Sequence, residues 1–239
     1  MFHTSPLRGG RLGGKGAYLK PQWLKDIYYS TVGWLTVGNY LWRRAFPRIP
    51  QHERIILHLG CGGNYIRKPG FINIDGNLFH PKNLWLDITI GLPFPSNSID
   101  AIFASHVLEH LNEKQVRRVL EESYRVLKPG GGVRFITPNL GRAIEAYVRG
   151  DRAFFSDWPD PRNSVGGRFN NYLLCRDQHR LMFDFGFLTE FLMEAGFEPC
   201  REVSPVESRI FEVSELEEIQ RGTSEDQRSL FVEGFKLKR

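Results

Sequence analysis

The residues with the clearest chemical potential form a glycine-bearing loop at Gly60–Asn64. An apolar run that ends at Leu59 leads directly into Gly60, Gly62 and Gly63. Because glycine lacks a Cβ atom, the backbone can approach a ligand closely, and successive N–H groups can face a polar or anionic group. A loop of this kind also fits a plain tight exit from a strand, so its interpretation depends on the residues that follow.

An acidic residue follows at the end of the next apolar run, Phe71–Ile74. This residue, Asp75, lies 15 positions after Gly60, and a carboxylate at the end of a second strand can accept both hydroxyls of a ribose. A dinucleotide fold places such an acid about 20 residues after its glycines, and it has a third glycine where this chain has Tyr65. A nucleotide-dependent oxidoreductase is therefore the weaker alternative.

Further short motifs continue in the order of a known family. They are Leu86-Asp87, Leu92–Asp100, His106–Leu111 and Arg125–Gly131. With the glycine loop and Asp75, these motifs resemble the class I S-adenosylmethionine-dependent methyltransferases of the type 11 group across residues 54–139. The segments around His179, Phe183, Ala195–Phe197 and Leu230–Lys236 resemble the last helix and final hairpin of the same family.

The resemblance implies S-adenosylmethionine as the cofactor and gives each matching position a role. The glycine loop faces the methionine part, the acid after the second strand holds the ribose, and the acid after the third strand faces the adenine. The residues after the fourth strand lie near the methionine and its methyl group. The cofactor-binding residues carried over in this way are Gly60, Cys61, Gly62, Asn64, Asp75, Asp87, Ile88, Ser105 and His106.

Two departures from the family pattern concern the same end of the cofactor. His58 stands where the family has an acidic residue before the glycine loop, so the contact to the amino end of the cofactor is expected to differ from that of the family. The segment after Asn64 is also too short for a full first helix. Another part of the chain must therefore close this side of the pocket.

Two histidines are the candidate catalytic residues. A sulfonium methyl donor is already activated, so in-line positioning supplies much of the acceleration, and a base is needed only for a hydroxyl or a protonated amine. His106 lies nearest the expected methyl position, as a pocket wall or as a base, and His179 lies where the family often places substrate-facing residues. The histidines lack H-x-x-x-H spacing, and the three cysteines contain no C-x-x-C pair, so no metal site is expected.

Short apolar runs that alternate with helical patterns predict an α/β fold. We expect a doubly wound, Rossmann-like, mostly parallel sheet with an antiparallel final strand. The methyltransferase domain is assigned to residues 51–239, with an acceptor-side insertion at 150–186. Asn112 and Gln115 predict a capping box at the start of one helix.

Residues 1–50 form an aromatic, basic N-terminal extension. Eight basic residues and one acidic residue give it a charge of +7, so the rest of the chain carries −2 of the net +5. Residues 1–16 are expected to be a mobile tail, and residues 22–46 an aromatic helix or hairpin. We expect Trp23, Tyr28, Trp34 and Trp42 to fold over the uncovered side of the glycine loop. Peripheral contact with an anionic membrane is the alternative.

The function predicted from the sequence is methyl transfer from S-adenosylmethionine to a small-molecule or glycan-like acceptor, including O-methylation in polysaccharide biosynthesis. Asparagine, arginine and aromatic residues between Phe154 and Arg180 suit a polyhydroxylated acceptor, and they equally fit a loop that folds on itself. A non-catalytic cofactor-binding or membrane-docking module is the alternative. The near-neutral main domain disfavours nucleic acid, and the cysteine usage favours a cytoplasmic location.

Overall fold

A seven-stranded sheet forms the centre of the computed structural model, which describes residues 22–49, 52, 54–157, 159–221 and 228–238. The strands are β1 Ile56–Leu59, β2 Phe71–Asp75, β3 Leu84–Trp85, β4 Ile99–Ser105, β5 Leu127–Pro138, β6 Cys200–Glu202 and β7 Ser229–Phe235. Their order is β3-β2-β1-β4-β5-β7-β6. The first five strands in this order are parallel, and β7 is antiparallel to both of its neighbours. The predicted fold class is confirmed.

Six α-helices accompany this sheet in the described part of the chain. They are α1 Gln22–Ala45, α2 Glu113–Val126, α3 Leu140–Val148, α4 Val165–Leu174, α5 Phe185–Glu194 and α6 Val213–Arg221. The capping box predicted for α2 is present, because Asn112 accepts from the Gln115 N–H and Gln115 accepts from the Asn112 N–H. Among the described helices, none is long and apolar enough to span a bilayer.

Helix α1 packs beside β3 through one of its faces. Val32 and Thr36 are buried, and the Asn39 side chain donates to the Trp85 carbonyl at 2.6 Å. The opposite face is apolar and exposed, with Trp34 80% and Trp42 65% accessible. The expectation that these two tryptophans fold over the glycine loop is therefore wrong, because they lie on the helix face turned away from the domain. The predicted tail, residues 1–16, and the Trp23 side chain lie outside the described residues.

Helix α6 covers the side of the sheet that the short segment after Asn64 leaves open. Leu216, Ile219 and the preceding Phe211 pack against strand residues such as Ile56 and Phe103. The sequence therefore predicted the gap correctly, but a segment about 150 residues further along the chain fills it, not the aromatic residues of the extension.

The insertion at 150–186 contains a small apolar cluster of its own around α4. Phe155 is buried there against Ala143 and Ala146 of α3, with Phe169 and Tyr172 of α4 packed beside them. Arg168 is buried and donates to the carbonyls of Phe155 and Arg162 and to the Asp157 carboxylate. The aromatic and arginine residues of this segment thus hold the insertion together.

Candidate functional site

A cleft of about 450 Å³ opens at the carboxyl ends of β1 and β4. These two strands are neighbours, and the strand order reverses between them, which is where doubly wound sheets bind their ligands. The residues that line it are His58, Gly60, Cys61, Gly62, Gly63, Asn64, Tyr65, Ile66, Phe103, Ser105, His106, Glu218 and Ile219. Six of the predicted site residues share this cleft: Gly60, Cys61, Gly62, Asn64, Ser105 and His106.

The glycine loop is held by Asp75. One carboxylate oxygen of Asp75 accepts from the Gly62 N–H at 2.7 Å, and the other accepts from the Asn77 N–H at 2.6 Å. Gly60 has a φ of +61°, and a Cβ there would meet Val107 at 2.6 Å, so glycine is required at this position. Burial, together with the charge of Asp75, raises the pKa of Cys61 to about 12, so this thiol stays neutral in the loop.

Asp87 and Ile88 lie outside the residues that line the cleft. Asp87 begins a 3₁₀ turn at Ile88–Ile90, where its side chain accepts from the Thr89 N–H and hydroxyl. The Asp87 N–H donates to the Thr36 hydroxyl of α1 at 3.3 Å. Helix α1 also reaches the loop after β2, where the Tyr28 hydroxyl accepts from the Leu78 N–H. The extension therefore borders the ribose and adenine side of the predicted site.

His58 is buried at the base of the cleft. Its Nδ1 lies 3.1 Å from the side-chain oxygen of Asn73, which can only accept, so Nδ1 carries the hydrogen and Nε2 of the neutral ring has the lone pair. Burial lowers the pKa of His58 to about 4, although Asn73 and Asp75 oppose this shift. A neutral acceptor thus stands where the family has a carboxylate.

His106 follows β4 with a backbone φ of +53°, which is uncommon for a residue other than glycine. Its Nδ1 donates to one oxygen of Glu109 at 3.0 Å, and its Nε2 lies 3.4 Å from the Ser229 hydroxyl. Although complete burial opposes ionisation, the hydrogen bond from His106 and nearby histidine charges lower the pKa of Glu109. The ring of His106 is thereby fixed with Nε2 away from the carboxylate.

His179, the second predicted catalytic residue, lies outside the described lining of the cleft. Its Nδ1 donates to the carbonyls of Tyr172 and Leu173, and its ring lies 5.2 Å from that of His110. Burial lowers the pKa of His179. The structure therefore places His179 beside Glu109 and His110.

Sequence reasoning missed the part of the cleft formed by α6. Glu218 and Ile219 line the cleft, and Ile219 is also buried against the sheet. The apolar spacing of Leu216 and Ile219 indicates a helix face, but it gives no sign that this face packs beside a loop at Gly60–Asn64. The buried Glu109 was missed as well, since the sequence pattern does not show that it lies beneath His106.

Parts of the chain are similar to known methyltransferases. Residues 78–135 match the type 11 methyltransferase domain family. The ubiquinone/menaquinone biosynthesis C-methyltransferase UbiE of Citrobacter koseri is 33% identical over 110 residues, which are 45% of this chain and 42% of that protein. The UbiE protein of Yersinia enterocolitica is 34% identical over the same shares. The chain therefore spans less than half the length of these curated relatives.

A solved structure of a SAM dependent methyltransferase from Archaeoglobus fulgidus has the same fold. Its TM-score is 0.50 at 14% sequence identity, over 86% of this chain and 93% of that chain. At this identity the likeness establishes the fold alone. Together with the matched domain, it confirms the resemblance to the class I methyltransferases that the motifs predicted.

Proposed function

We propose that this class I methyltransferase domain binds S-adenosylmethionine in the cleft and transfers its methyl group to a small-molecule acceptor. The observation that carries the proposal is the meeting of Gly60, Gly62 and His106 at the point where strand order reverses, with Asp75 beneath the loop. This arrangement places a glycine loop and a fixed imidazole at one space of suitable size, with the acidic side chain of Asp75 behind the loop.

Asp75 retains the capacity to hold a ribose while it holds the loop. Each of its oxygens accepts one backbone hydrogen bond, and a carboxylate offers about four lone-pair directions in all. In this proposal the glycine loop lies against the methionine part of the cofactor. His58 Nε2 takes the place of the family's carboxylate as the acceptor for the cofactor's amino end. Asp87 and Ile88 border the adenine, with α1 behind them.

The bound cofactor supplies an electrophilic methyl group on a sulfonium. The acceptor atom donates an electron pair to the methyl carbon, the carbon–sulfur bond breaks, and the acceptor loses its proton. His106 can take that proton at Nε2, because its Nδ1–H is held by Glu109, as in other oriented imidazole bases. The same geometry also suits a residue that only lines the pocket. Methyl transfer requires the imidazole if His106 is the base, and it does not if His106 only lines the pocket.

A glycan-like acceptor, with O-methylation in polysaccharide biosynthesis, is the finer form of this proposal. The sequence argument for it used the asparagines and arginines of the insertion. Two of these residues have internal partners, since Arg168 binds carbonyls of its own segment and Asn171 donates to the Asp160 carbonyl. These internal contacts remove part of the argument for a glycan, and the coarser proposal of a small-molecule acceptor does not depend on them.

The proposal is tested by calorimetry of the full chain with S-adenosylmethionine, S-adenosylhomocysteine and NAD. We expect micromolar affinity for the first two, on the order of −8 kcal/mol, and no heat with NAD. Asp75→Ala should weaken binding about ten- to hundredfold, because charged hydrogen bonds contribute roughly 1.5–3 kcal/mol. Glu121→Ala, which removes an exposed acid from α2, is the matched control. A response to NAD alone would contradict the proposal, and binding without methyl transfer to any acceptor would favour the non-catalytic alternative.

A further inference from the structure

Three side chains that carry metal-ligand atoms meet beside the cofactor cleft. Glu109 and His110 end the 3₁₀ turn Leu108–His110 after β4, and His179 precedes α5 at the end of the insertion. One ligand atom of each residue lies within 4.8 Å of those of the other two. Residues nearly 70 positions apart in the chain thus form one compact set of two imidazoles and a carboxylate.

Both imidazoles are held in the orientation that metal-bound histidines adopt. His110 Nδ1 lies 3.0 Å from the Gln178 carbonyl, and His179 Nδ1 lies 3.1 Å from the Tyr172 carbonyl. A carbonyl oxygen only accepts, so Nδ1 carries the hydrogen in each ring and Nε2 has the free lone pair. A backbone carbonyl on the remote nitrogen is the usual outer partner of a metal-ligating histidine.

The carboxylate of Glu109 has an unused oxygen. The residue is completely buried, and its Oε1 accepts from His106, but Oε2 has no hydrogen-bond partner among the described residues. A buried acceptor without a partner is costly, and in native proteins such groups commonly bind water or an ion.

We propose that Glu109, His110 and His179 bind a divalent transition metal of the zinc class, through Glu109 Oε2 and the two Nε2 atoms. Imidazole and carboxylate ligands suit zinc, cobalt and nickel better than magnesium or calcium, which take oxygen ligands. Three protein ligands leave at least one position open. The sequence spacing predicted no metal site. The proposed ligands escape that prediction because the fold brings them together from distant parts of the chain.

The site lies next to the proposed methyl position, since Glu109 binds His106 through its other oxygen. His110 is exposed, so a small molecule can reach an open position on the metal. If the proposed function holds, a metal at this site would make an acceptor oxygen bound to it lose its proton more readily. The metal site itself does not depend on the methyl-transfer proposal.

The test uses the full chain stripped of metals with a chelator and then titrated with cobalt(II), without cofactor. We expect one equivalent to bind with visible absorption bands and to raise the melting temperature. His110→Ala and His179→Ala should each weaken cobalt(II) and zinc affinity by at least about tenfold. The matched control is His52→Ala, which removes an exposed histidine outside the set and should leave metal affinity unchanged.

Circular dichroism of each metal-free variant shows whether it is folded, so that a loss of metal affinity can be told from misfolding. If His179→Ala is misfolded, His110→Ala decides, since it removes an exposed ring. Wild-type protein without cobalt absorption bands, or a folded His110→Ala protein with unchanged affinity, would overturn the proposal. Normal cofactor binding in a chain that takes no metal would refute this site alone, whereas metal binding in a chain that takes no cofactor would refute the proposed function alone.

Discussion

A single neutral imidazole replaces a carboxylate at the entry to the glycine loop, and its surroundings explain why it is tolerated. His58 is 2% exposed, and its ring lies 4.9 Å from that of Phe103. Asn73 fixes the orientation of the His58 ring. The Asn73 side chain also accepts from the Ile66 N–H and donates to the Ile66 carbonyl. This network ties β1, β2 and the short segment after Asn64 together without a buried charge.

His58 should make the protein less stable as the pH falls. Its pKa is about 4 in the folded chain and 6.5 in the unfolded chain, so between these values only the unfolded chain takes up the proton. Stability is therefore lost as the pH falls from 6.5 to 4, by about 2 kcal/mol at pH 5. Urea unfolding at pH 7 and pH 5 should show this loss in the wild type and a smaller one in His58→Gln.

His52→Gln is the control for that measurement, because it removes an exposed histidine and should leave the pH dependence unchanged. The pKa of Glu109 is lowered from 4.5, so its contribution is lost below that pH, outside the interval between pH 7 and pH 5 that is measured here. An equal loss of stability in His58→Gln and wild-type protein would show that His58 is already exposed or charged in the folded state.

At the residue scale, the sequence predicted the parts of the site that depend on local chain geometry. Gly60 and Gly62 follow β1 and Ser105 ends β4, so the strands themselves set their positions at the carboxyl edge. The grouping of Glu109 and His179 was not predictable in this way. It depends on how the insertion returns to the domain, where the Arg180 N–H donates to the Glu109 carbonyl at 2.7 Å.

At the element scale, α6 is placed by a buried ion pair inside the sheet. Arg134 of β5 and Glu233 of β7 lie 2.9 Å apart and are almost completely inaccessible. Arg134 also donates to carbonyls of Ser204, Pro205 and Glu207, and Glu233 accepts from the Arg209 N–H. These bonds fix residues 204–209, the segment that leads into α6. Arg54 then pairs with Glu215 on α6 at 2.8 Å.

Ile219→Ala should both destabilise the protein and weaken cofactor binding. Ile219 is 1% exposed, packs on the sheet and lines the cleft, so the truncation leaves a cavity that costs about 2–5 kcal/mol. Val213→Ala on the same helix removes an apolar side chain that is 76% exposed, and it should change stability by less than about 0.5 kcal/mol. Urea unfolding and cofactor calorimetry on both variants measure these effects, and equal behaviour of the two would contradict the placement of α6.

The sequence predicted most elements of the sheet but not the element that replaces the missing helix. Strands can be located from the sequence because each buried strand of a parallel sheet is a short run of adjacent apolar residues. Helix α6 was missed because its position depends on Arg134 and Glu233, whose pairing joins two strands 99 residues apart. A buried charge pair of this kind has no signature in the local hydrophobic pattern.

At the scale of the whole molecule, α1 has two different faces. The inner face holds Val32 and Thr36 against the loops after β2 and β3, close to Asp75 and Asp87. The outer face exposes Ile27, Trp34, Leu41 and Trp42, and Arg43 and Arg44 follow at its end. The inner face supports a role at the cofactor site, and the outer face has the composition of an interfacial helix.

Variants of each face should separate these roles. Val32→Asp puts a charge into a site that is 3% exposed, so α1 should loosen and cofactor affinity should fall by about tenfold, which corresponds to 1.4 kcal/mol. The double variant Trp34→Gln and Trp42→Gln changes only the exposed face and should leave that affinity unchanged. Calorimetry with S-adenosylhomocysteine and sedimentation with anionic vesicles measure the two properties on the same proteins. If folded Val32→Asp binds cofactor normally and only the tryptophan variant loses vesicle binding, the extension is a membrane contact and not part of the cofactor site.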